Sequence, residues 1–344
     1  MKDRFESVDA VLRAACGSAF TGAVARIERG GRLCFERAYG VTRSDAQARP
    51  VFVDTRFDLA SLTKLFVATL LLRALADGRL GLDERLVRVV AEWRDLPQAA
   101  ITARMLLAHD SGMNSGADYR LLLDRNVESF ALTEPLVAEP GERVIYSDLG
   151  FIVLGMLLER LHGCALAPLV EHGFLRPTLG FLPRAEERRS IPATEDDGWR
   201  GRVQGRVHDE KAHLMGGVAG HAGLFGTAAD VAALTEGYLG SLCGRARTLL
   251  ARALVREATS EQAYDPVLRR GLGWALKTND ENSCGRILSG TSFGHTGFVG
   301  TSVWADPERD LQGVLLTNGV YFGRNDIRDL RAAFYDAAAE ATER

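Results

Sequence analysis

The chain opens with MKDRFESVDAVLRAAC, in which Phe5, Val8, Val11, Leu12 and Ala15 recur at helical spacing and predict one helix with a single apolar face. Two runs rich in β-branched and aromatic residues follow, TGAVARIERGG and RLCFERAYG, which meet at Gly30 and Gly31 and predict an antiparallel hairpin. From Ser61 to about Thr259 the dominant period is helical, as in SLTKLFVATLLLRALADGRL, TARMLLAHDSG, LGFIVLGMLLERLHG and TAADVAALTEGYLGSLCG, each closing near glycine or a turn cluster. Strand patterns return in GLGWALKT, GHTGFVGTSVWAD and LQGVLLTNGVY, and NDIRDLRAAFYDAAAEAT predicts a final helix.

Strands at both ends with helices between them predict an α/β (α+β) fold. An antiparallel sheet built from both chain ends, flanked by the terminal helices, packs against a mainly helical domain, with a cleft at the junction. The expected division assigns residues 1–60 and 265–344 to the sheet domain and 61–264 to the helical domain. The polar stretch RAEERRSIPATEDDG, 184–198, is expected as an exposed excursion.

Length and composition narrow the function. At 344 residues and 46% hydrophobic content the chain can bury one large core or two moderate ones, and a net charge of -3 gives no basic field for nucleic acid. Asp3, Glu6 and Asp9 stand where a secretory signal needs a basic start and an unbroken apolar run, and Arg13 interrupts the stretch before Cys16 that a lipoprotein reading would need. No apolar run is long enough to cross a bilayer. The five cysteines are scattered, without a C-x-x-C pair, so neither a disulfide framework nor a zinc knuckle is expected, and a reducing cytoplasm fits. Of 42 basic residues only four are lysines, Lys2, Lys64, Lys211 and Lys277. Arginine stays protonated at any working pH, whereas a desolvated lysine can lose its proton, so a lysine kept in an arginine-rich sequence is a candidate for chemistry.

Ser61-Leu62-Thr63-Lys64 starts a helix that is apolar nearly all round, which places the Ser hydroxyl and the Lys amine on one face a turn apart. A serine there could equally be a helix cap and the lysine a surface charge, but a lysine in a buried helix needs a reason. Two further pieces accompany it, Tyr146-Ser147-Asp148 after the turn-forming EPGERVI, and His295-Thr296-Gly297 at the opening of a late strand.

In this order the three pieces resemble the β-lactamase and penicillin-binding protein superfamily. The likeness is strongest to the class C β-lactamase branch, which also holds D-amino-acid-specific peptidases and carboxylesterases; there S-x-x-K is followed by Y-x-N and by K-T-G or H-x-G. MLLAHDSGM and VHDEKAHLMGGVAGHAGLFGTAADVAAL extend the likeness, which runs from about Val53 to Asn318. The resemblance implies Ser61 as nucleophile, Lys64 as its proton acceptor or electrostatic activator, and Tyr146 as a second general base. It implies His295, Thr296 and Gly297 as the far edge of the cleft, and the amides of Ser61 and Phe298 as the oxyanion hole. It also implies a small-molecule substrate, an acyl-serine intermediate and no metal or organic cofactor. Asp148 departs from the commoner Asn: if ionised it only accepts hydrogen bonds, holds Lys64 protonated and moves base duty toward Tyr146. His295 departs from the usual Lys and supplies no fixed cation for a substrate carboxylate. Together these favour a small ester or amide over penicillins. A β-lactamase, a penicillin-binding D-amino-acid peptidase and a catalytically inactive ligand-binding module remain open alternatives.

Other patterns read as bland. Gly290-Thr291-Ser292-Phe293-Gly294 matches G-x-S-x-G, but a strand follows it where a nucleophile elbow needs a helix. His208, Asp209, His213 and His221 lack metal-ligand spacing, and His208 and Asp209 are expected to orient loops beside the cleft. His109 is expected as a hydrogen-bonded structural histidine, and the glycines of GGVAGHAGLFG as places of close backbone approach.

Overall fold

The computed structural model describes residues 4–116, 118–245 and 249–343; Lys2 and Asp3 lie outside them. The opening amphipathic segment forms α1 (Glu6–Ala15), with Val8 and Leu12 buried. The alternating runs form β1 (Gly22–Arg29) and β2 (Arg32–Gly40), antiparallel and joined at Gly30–Gly31, whose φ values of 60° and 69° are the left-handed pair a two-residue hairpin demands. A short β3 (Phe57–Asp58) precedes α2 (Thr63–Ala76), α3 (Ala103–Ala108), α4 (Val127–Thr133), α5 (Asp148–His162) and α6 (Leu166–Phe174). Next come β4 (Ala193–Asp197), β5 (Gly201–Gln204), α7 (Glu210–Leu214), β6 (Phe225–Gly226), α8 (Ala228–Leu242) and α9 (Arg252–Ala258). The chain returns through β7 (Arg269–Arg270), β8 (Ala275–Leu276), β9 (Phe293–Thr296), β10 (Ser302–Asp306) and β11 (Leu311–Thr317), and ends in α10 (Arg328–Glu343).

Seven strands form one antiparallel sheet in the order β2-β1-β11-β10-β9-β8-β7, so both ends of the chain contribute to it. Alternation along β1 sorts its side chains between two cores. Ala23, Ala25 and Ile27 pack with α1 and α10 through Phe5, Val8, Phe334 and Tyr335, while Val24 faces the larger core that holds α2, α5 and α8. The molecule is therefore three layers, with terminal helices on one face of the sheet and the helical region on the other. Among the described residues no single helix is long and apolar enough to cross a membrane.

Three details differ from the sequence expectation. Ser61 does not begin the long helix; it lies in a 3-10 turn, Ala60–Leu62, just before α2. GLGWALKT yields only the two-residue β8, because Gly273 takes φ 80° and turns the chain. Part of the polar stretch 184–198 is anchored rather than an exposed excursion: β4 pairs with β5, Ile191 and Ala193 are buried, and Asn318 donates to the Ala193 carbonyl at 2.7 Å.

Of the glycines in GGVAGHAGLFG, Gly220 and Gly223 have the expected close approach to backbone, whereas Gly216 has open space beside it. A Cβ on Gly220 would lie 2.0 Å from the Phe151 carbonyl oxygen and 2.9 Å from the Gly155 amide nitrogen, so only glycine lets this loop rest on α5. Gly220→Ala is expected to lower stability by about 2 kcal/mol or more, since the obstacle is backbone that cannot rotate away. Urea unfolding reads this directly, and an unchanged midpoint would contradict the packing argument.

Candidate active site

Each piece of the site is held by local chain geometry. Ala60 sits at φ 46°, a strained value for a residue with a side chain, and its amide donates to Asp58 Oδ1 at 2.8 Å. Asp58 Oδ2 accepts the His208 amide at 2.7 Å, and burial pushes the Asp58 carboxyl up to about 6. This buried carboxylate thus ties the turn carrying Ser61 to the segment carrying His208 and Asp209. Ser147 caps α5 by accepting the Gly150 amide, and its own amide donates to Nδ1 of His109 at 3.0 Å. Burial, with Arg270 and Lys64 nearby, holds His109 well below the usual imidazole range, so it is a neutral acceptor whose ring packs tilted against Tyr146, 4.6 Å between centroids.

The third piece meets the first by close approach. A Cβ on Gly297 would fall 2.1 Å from Thr301 Oγ1 and 2.9 Å from the Leu59 carbonyl oxygen, so glycine is required where the β9–β10 turn touches the Ser61 turn. Arg331 of α10 fixes that turn from behind, donating to the carbonyls of Gly297 at 2.8 Å and Thr301 at 3.3 Å.

A cavity of about 650 Å³ opens between the helical layer and the sheet edge, lined by Ser61, Tyr146, Asp148, His295, Thr296, Gly297 and Phe298. Lys64 lies directly beneath it, fully buried. Its Nζ donates to Ser61 Oγ at 2.9 Å and to the His221 carbonyl at 3.1 Å, and pairs with Asp148 Oδ1 at 2.9 Å. The carbonyl and the carboxylate only accept, whereas the Ser61 hydroxyl can accept from an ammonium or donate to a neutral amine, so the charge state is set by the Asp148 carboxylate. Burial alone would pull the Lys64 pKa down, but the charge of Asp148 and the neighbouring Tyr146 oxygen outweigh it and the net direction is up. For Asp148, burial pushes up while Lys64, His221 and Lys211 pull down, and the net direction is down.

The charges continue past the predicted residues. Lys211 Nζ stands 3.2 Å from Asp148 Oδ2 and 3.6 Å from Asp209 Oδ2, and Asp209 Oδ1 lies 2.7 Å from His221 Nε2. Cations and carboxylates therefore alternate from Lys64 through Asp148 and Lys211 to Asp209, and return through His221 to the carbonyl that Lys64 uses. The ligand atoms of Asp148, Asp209 and His221 approach within 4.8 Å of one another, a spacing a metal ion could use, but both carboxylates are already engaged by the two ammonium groups. His295 is buried in β9, with Nδ1 2.8 Å from the Thr296 carbonyl oxygen; burial, Lys64 and Arg270 lower its pKa to about 3, so its imidazole is neutral. Phe298 is exposed at the mouth, stacked 5.6 Å from His208. His213 packs on Trp199, and Ser292 of the G-x-S-x-G pattern is buried just before β9 with no helix after it.

A serine hydroxyl beside a buried ammonium, with the Tyr146 ring centroid 5.0 Å from that ammonium, can support nucleophilic acyl transfer. Residues 8–338 match the family model described as Beta-lactamase. The chain belongs to the β-lactamase family. It is 30% identical to the N-acetylmuramyl-L-alanine amidase of Bacillus subtilis strain 168, over 92% of this chain and 81% of that protein. In structure this family member is similar to EstCE1, a hydrolase with promiscuous acyltransferase activity, at TM-score 0.79 and 22% identity, covering 98% of this chain and 99% of that one. It is also similar to a class C β-lactamase from Rhodobacter sphaeroides, at TM-score 0.77 and 17% identity, covering 96% and 98%.

Sequence reasoning did not place Lys211, His221 or Arg270 among the site residues. The scarcity of lysine was a signal for Lys211, because three of the four lysines prove to be largely buried. Replacing Lys211 by Met leaves Asp148 and Asp209 without the cation between them, so the pKa of Asp148 rises. The acid limb of kcat/KM is then expected to move to higher pH, with a plateau loss of roughly tenfold or more. A plateau loss with an unmoved limb would mean that Lys211 only supports the fold.

Proposed function

We propose that the protein is a serine acyl hydrolase acting through an acyl-Ser61 intermediate on a small ester or amide, with poor turnover of penicillins. The observation that carries this reading is the Ser61 hydroxyl 2.9 Å from a lysine that is fully buried yet fully supplied with acceptors.

Because Lys64 keeps its proton, it acts as a fixed positive charge that favours the Ser61 alkoxide rather than as the base. Ser61 Oγ forms the new bond to the acyl carbon as its proton passes to the Tyr146 oxygen, while Tyr146 delivers its own proton to the departing oxygen or nitrogen. The carbonyl oxygen becomes an oxyanion received by the amides of Ser61 and Phe298, and breaking of the bond to the leaving group completes acylation. Water then attacks the acyl carbon, giving a proton to Tyr146 as Tyr146 returns one to Ser61. The sum is hydrolysis of one ester or amide bond, needing only substrate and water.

Both oxygens of Asp148 are engaged by Lys64 and Lys211, so it offers no donor to a substrate amide carbonyl. Neutral His295 supplies no charge at the place where the family commonly has Lys. These two features support weak β-lactam recognition. A second reading, hydrolysis of an amide in a cell-wall fragment, is supported by the likeness to the amidase over most of both chains.

Intact-mass spectrometry after exposure to a fluorophosphonate and, separately, to a penicillin tests the proposal. A single fluorophosphonate adduct on the wild type, none on Ser61→Ala and little penicillin adduct are expected. Absence of any adduct on folded wild-type protein would contradict an activated serine and favour a ligand-binding module.

A further inference from the structure

One peptide plane in the β9–β10 turn is held from behind. The Gly297 carbonyl accepts from Arg331 Nη2 at 2.8 Å and from the Gly300 amide at 3.0 Å. That carbonyl shares its plane with the amide of Phe298, and in a trans peptide the C=O and N–H point in opposite directions. With the oxygen drawn back toward α10, the Phe298 N–H is turned away from Arg331, and among the described residues it donates to no protein acceptor. Phe298 lines the same cavity as Ser61, and its turn touches the Ser61 turn, where Thr301 Oγ1 donates to the Leu59 carbonyl at 3.2 Å. Little else fixes this plane. A peptide flip rotates ψ of one residue and φ of the next and leaves both Cα atoms in place, so the contacts of the Phe298 ring with His208 and Arg324, both at 5.6 Å, do not oppose it. Gly297 has no Cβ to resist the rotation. The Gly300 amide is a neutral donor, and a bond from an ionised donor is roughly twice as strong. Arg331 is buried; burial pulls its pKa down to about 10, with Tyr335 and Asp326 opposing the shift, so it remains a cation at neutral pH. The same Nη2 also reaches the Thr301 carbonyl at 3.3 Å, which ties both ends of the turn to one guanidinium.

We propose that Arg331 is a positioning residue for the oxyanion hole: by holding the Gly297 carbonyl back, it keeps the Phe298 N–H aimed at the carbonyl oxygen of a substrate on Ser61. This rests on the acyl-hydrolase reading above. Without the guanidinium the 297–298 peptide can turn over, and the developing oxyanion then meets a carbonyl oxygen where it needs a donor. Arg331 needs no contact with the substrate, because it acts through one peptide bond. Its effect therefore falls on the transition state, in which the oxygen carries charge, and hardly on the binding of the uncharged substrate carbonyl.

Phenyl acetate hydrolysis and inhibition by phenylboronic acid test this, with rates counted per Ser61 titrated by fluorophosphonate so that misfolded protein drops out. The boronic acid adds to Ser61 Oγ as a tetrahedral anion and reads the same donors as the transition state. Arg331→Met is expected to lower kcat by roughly tenfold to a hundredfold, short of the outright loss of a donor because part of the population keeps the N–H aimed. The boronic acid is expected to weaken by a similar factor, with KM within about twofold of wild type. Arg331→Lys is expected to recover part of both losses, since a cation returns without the planar guanidinium, and it carries the test if Arg331→Met does not fold. In a crystal structure of Arg331→Met the 297–298 peptide is expected reversed, or present in both orientations. An unchanged kcat per labelled site, a loss confined to KM, or a peptide ordered wholly in the wild-type orientation would overturn the proposal. If wild-type protein neither labels nor turns over, the hydrolase reading alone falls, and the orientation of the peptide in the variant still decides whether Arg331 locks it.

Discussion

A buried ammonium can be tolerated only if every one of its protons is accepted and its charge is met, and the layout of this protein follows from that demand at Lys64. The three acceptors come from three separate places: Ser61 on the preceding turn, Asp148 at the start of α5, and the His221 carbonyl in the loop that rests on α5. Moving any one of them leaves an uncompensated charge inside the helical core. The same arrangement that satisfies Lys64 sets Ser61 Oγ against a fixed positive charge, so stability and reactivity depend on one contact.

The remaining machinery holds those three pieces in register. Gly220 lets the His221 loop touch α5, Gly297 lets the β9–β10 turn touch the Ser61 turn, and Asp58 holds the Ser61 turn while Arg331 holds the β9–β10 turn. The alternation of Lys64, Asp148, Lys211 and Asp209 spreads charge over two layers of the cleft wall, so that neither carboxylate lacks a cation. The 3-10 turn at Ala60–Leu62, with Ala60 in a left-handed conformation, presents the hydroxyl to the cavity rather than to the helix it precedes.

Much of this was legible before any coordinates. The sheet from both chain ends followed from the change of hydrophobic period, and the Ser61–Lys64 pair from three-residue spacing at the head of an all-apolar helix. The role of Asp148 as a partner that keeps Lys64 charged followed from carboxylate chemistry. What was not legible depended on long-range register. Arg270 is one arginine among many, and only the pairing of β7 with β8, itself paired with β9, turns it into the cleft. The β4–β5 hairpin was missed because its outward positions are charged and find ionic partners, as Asp196 does with Arg202 across the hairpin and Glu195 with Arg324 of the β11–α10 loop. Such strands carry little hydrophobic signal.

The central claim is that Lys64 is an ammonium in the resting enzyme, and the chain's four lysines make it open to direct observation. Nitrogen-15 NMR of protein labelled at lysine Nζ would follow each amine through alkaline pH, with Lys64 assigned by its absence in Lys64→Arg. The account predicts a Lys64 resonance that stays at the ammonium shift up to and beyond pH 10.5, the ordinary lysine value, because Asp148 and Tyr146 outweigh burial. A Lys64 that loses its proton near neutrality would contradict it and return the role of general base to the lysine.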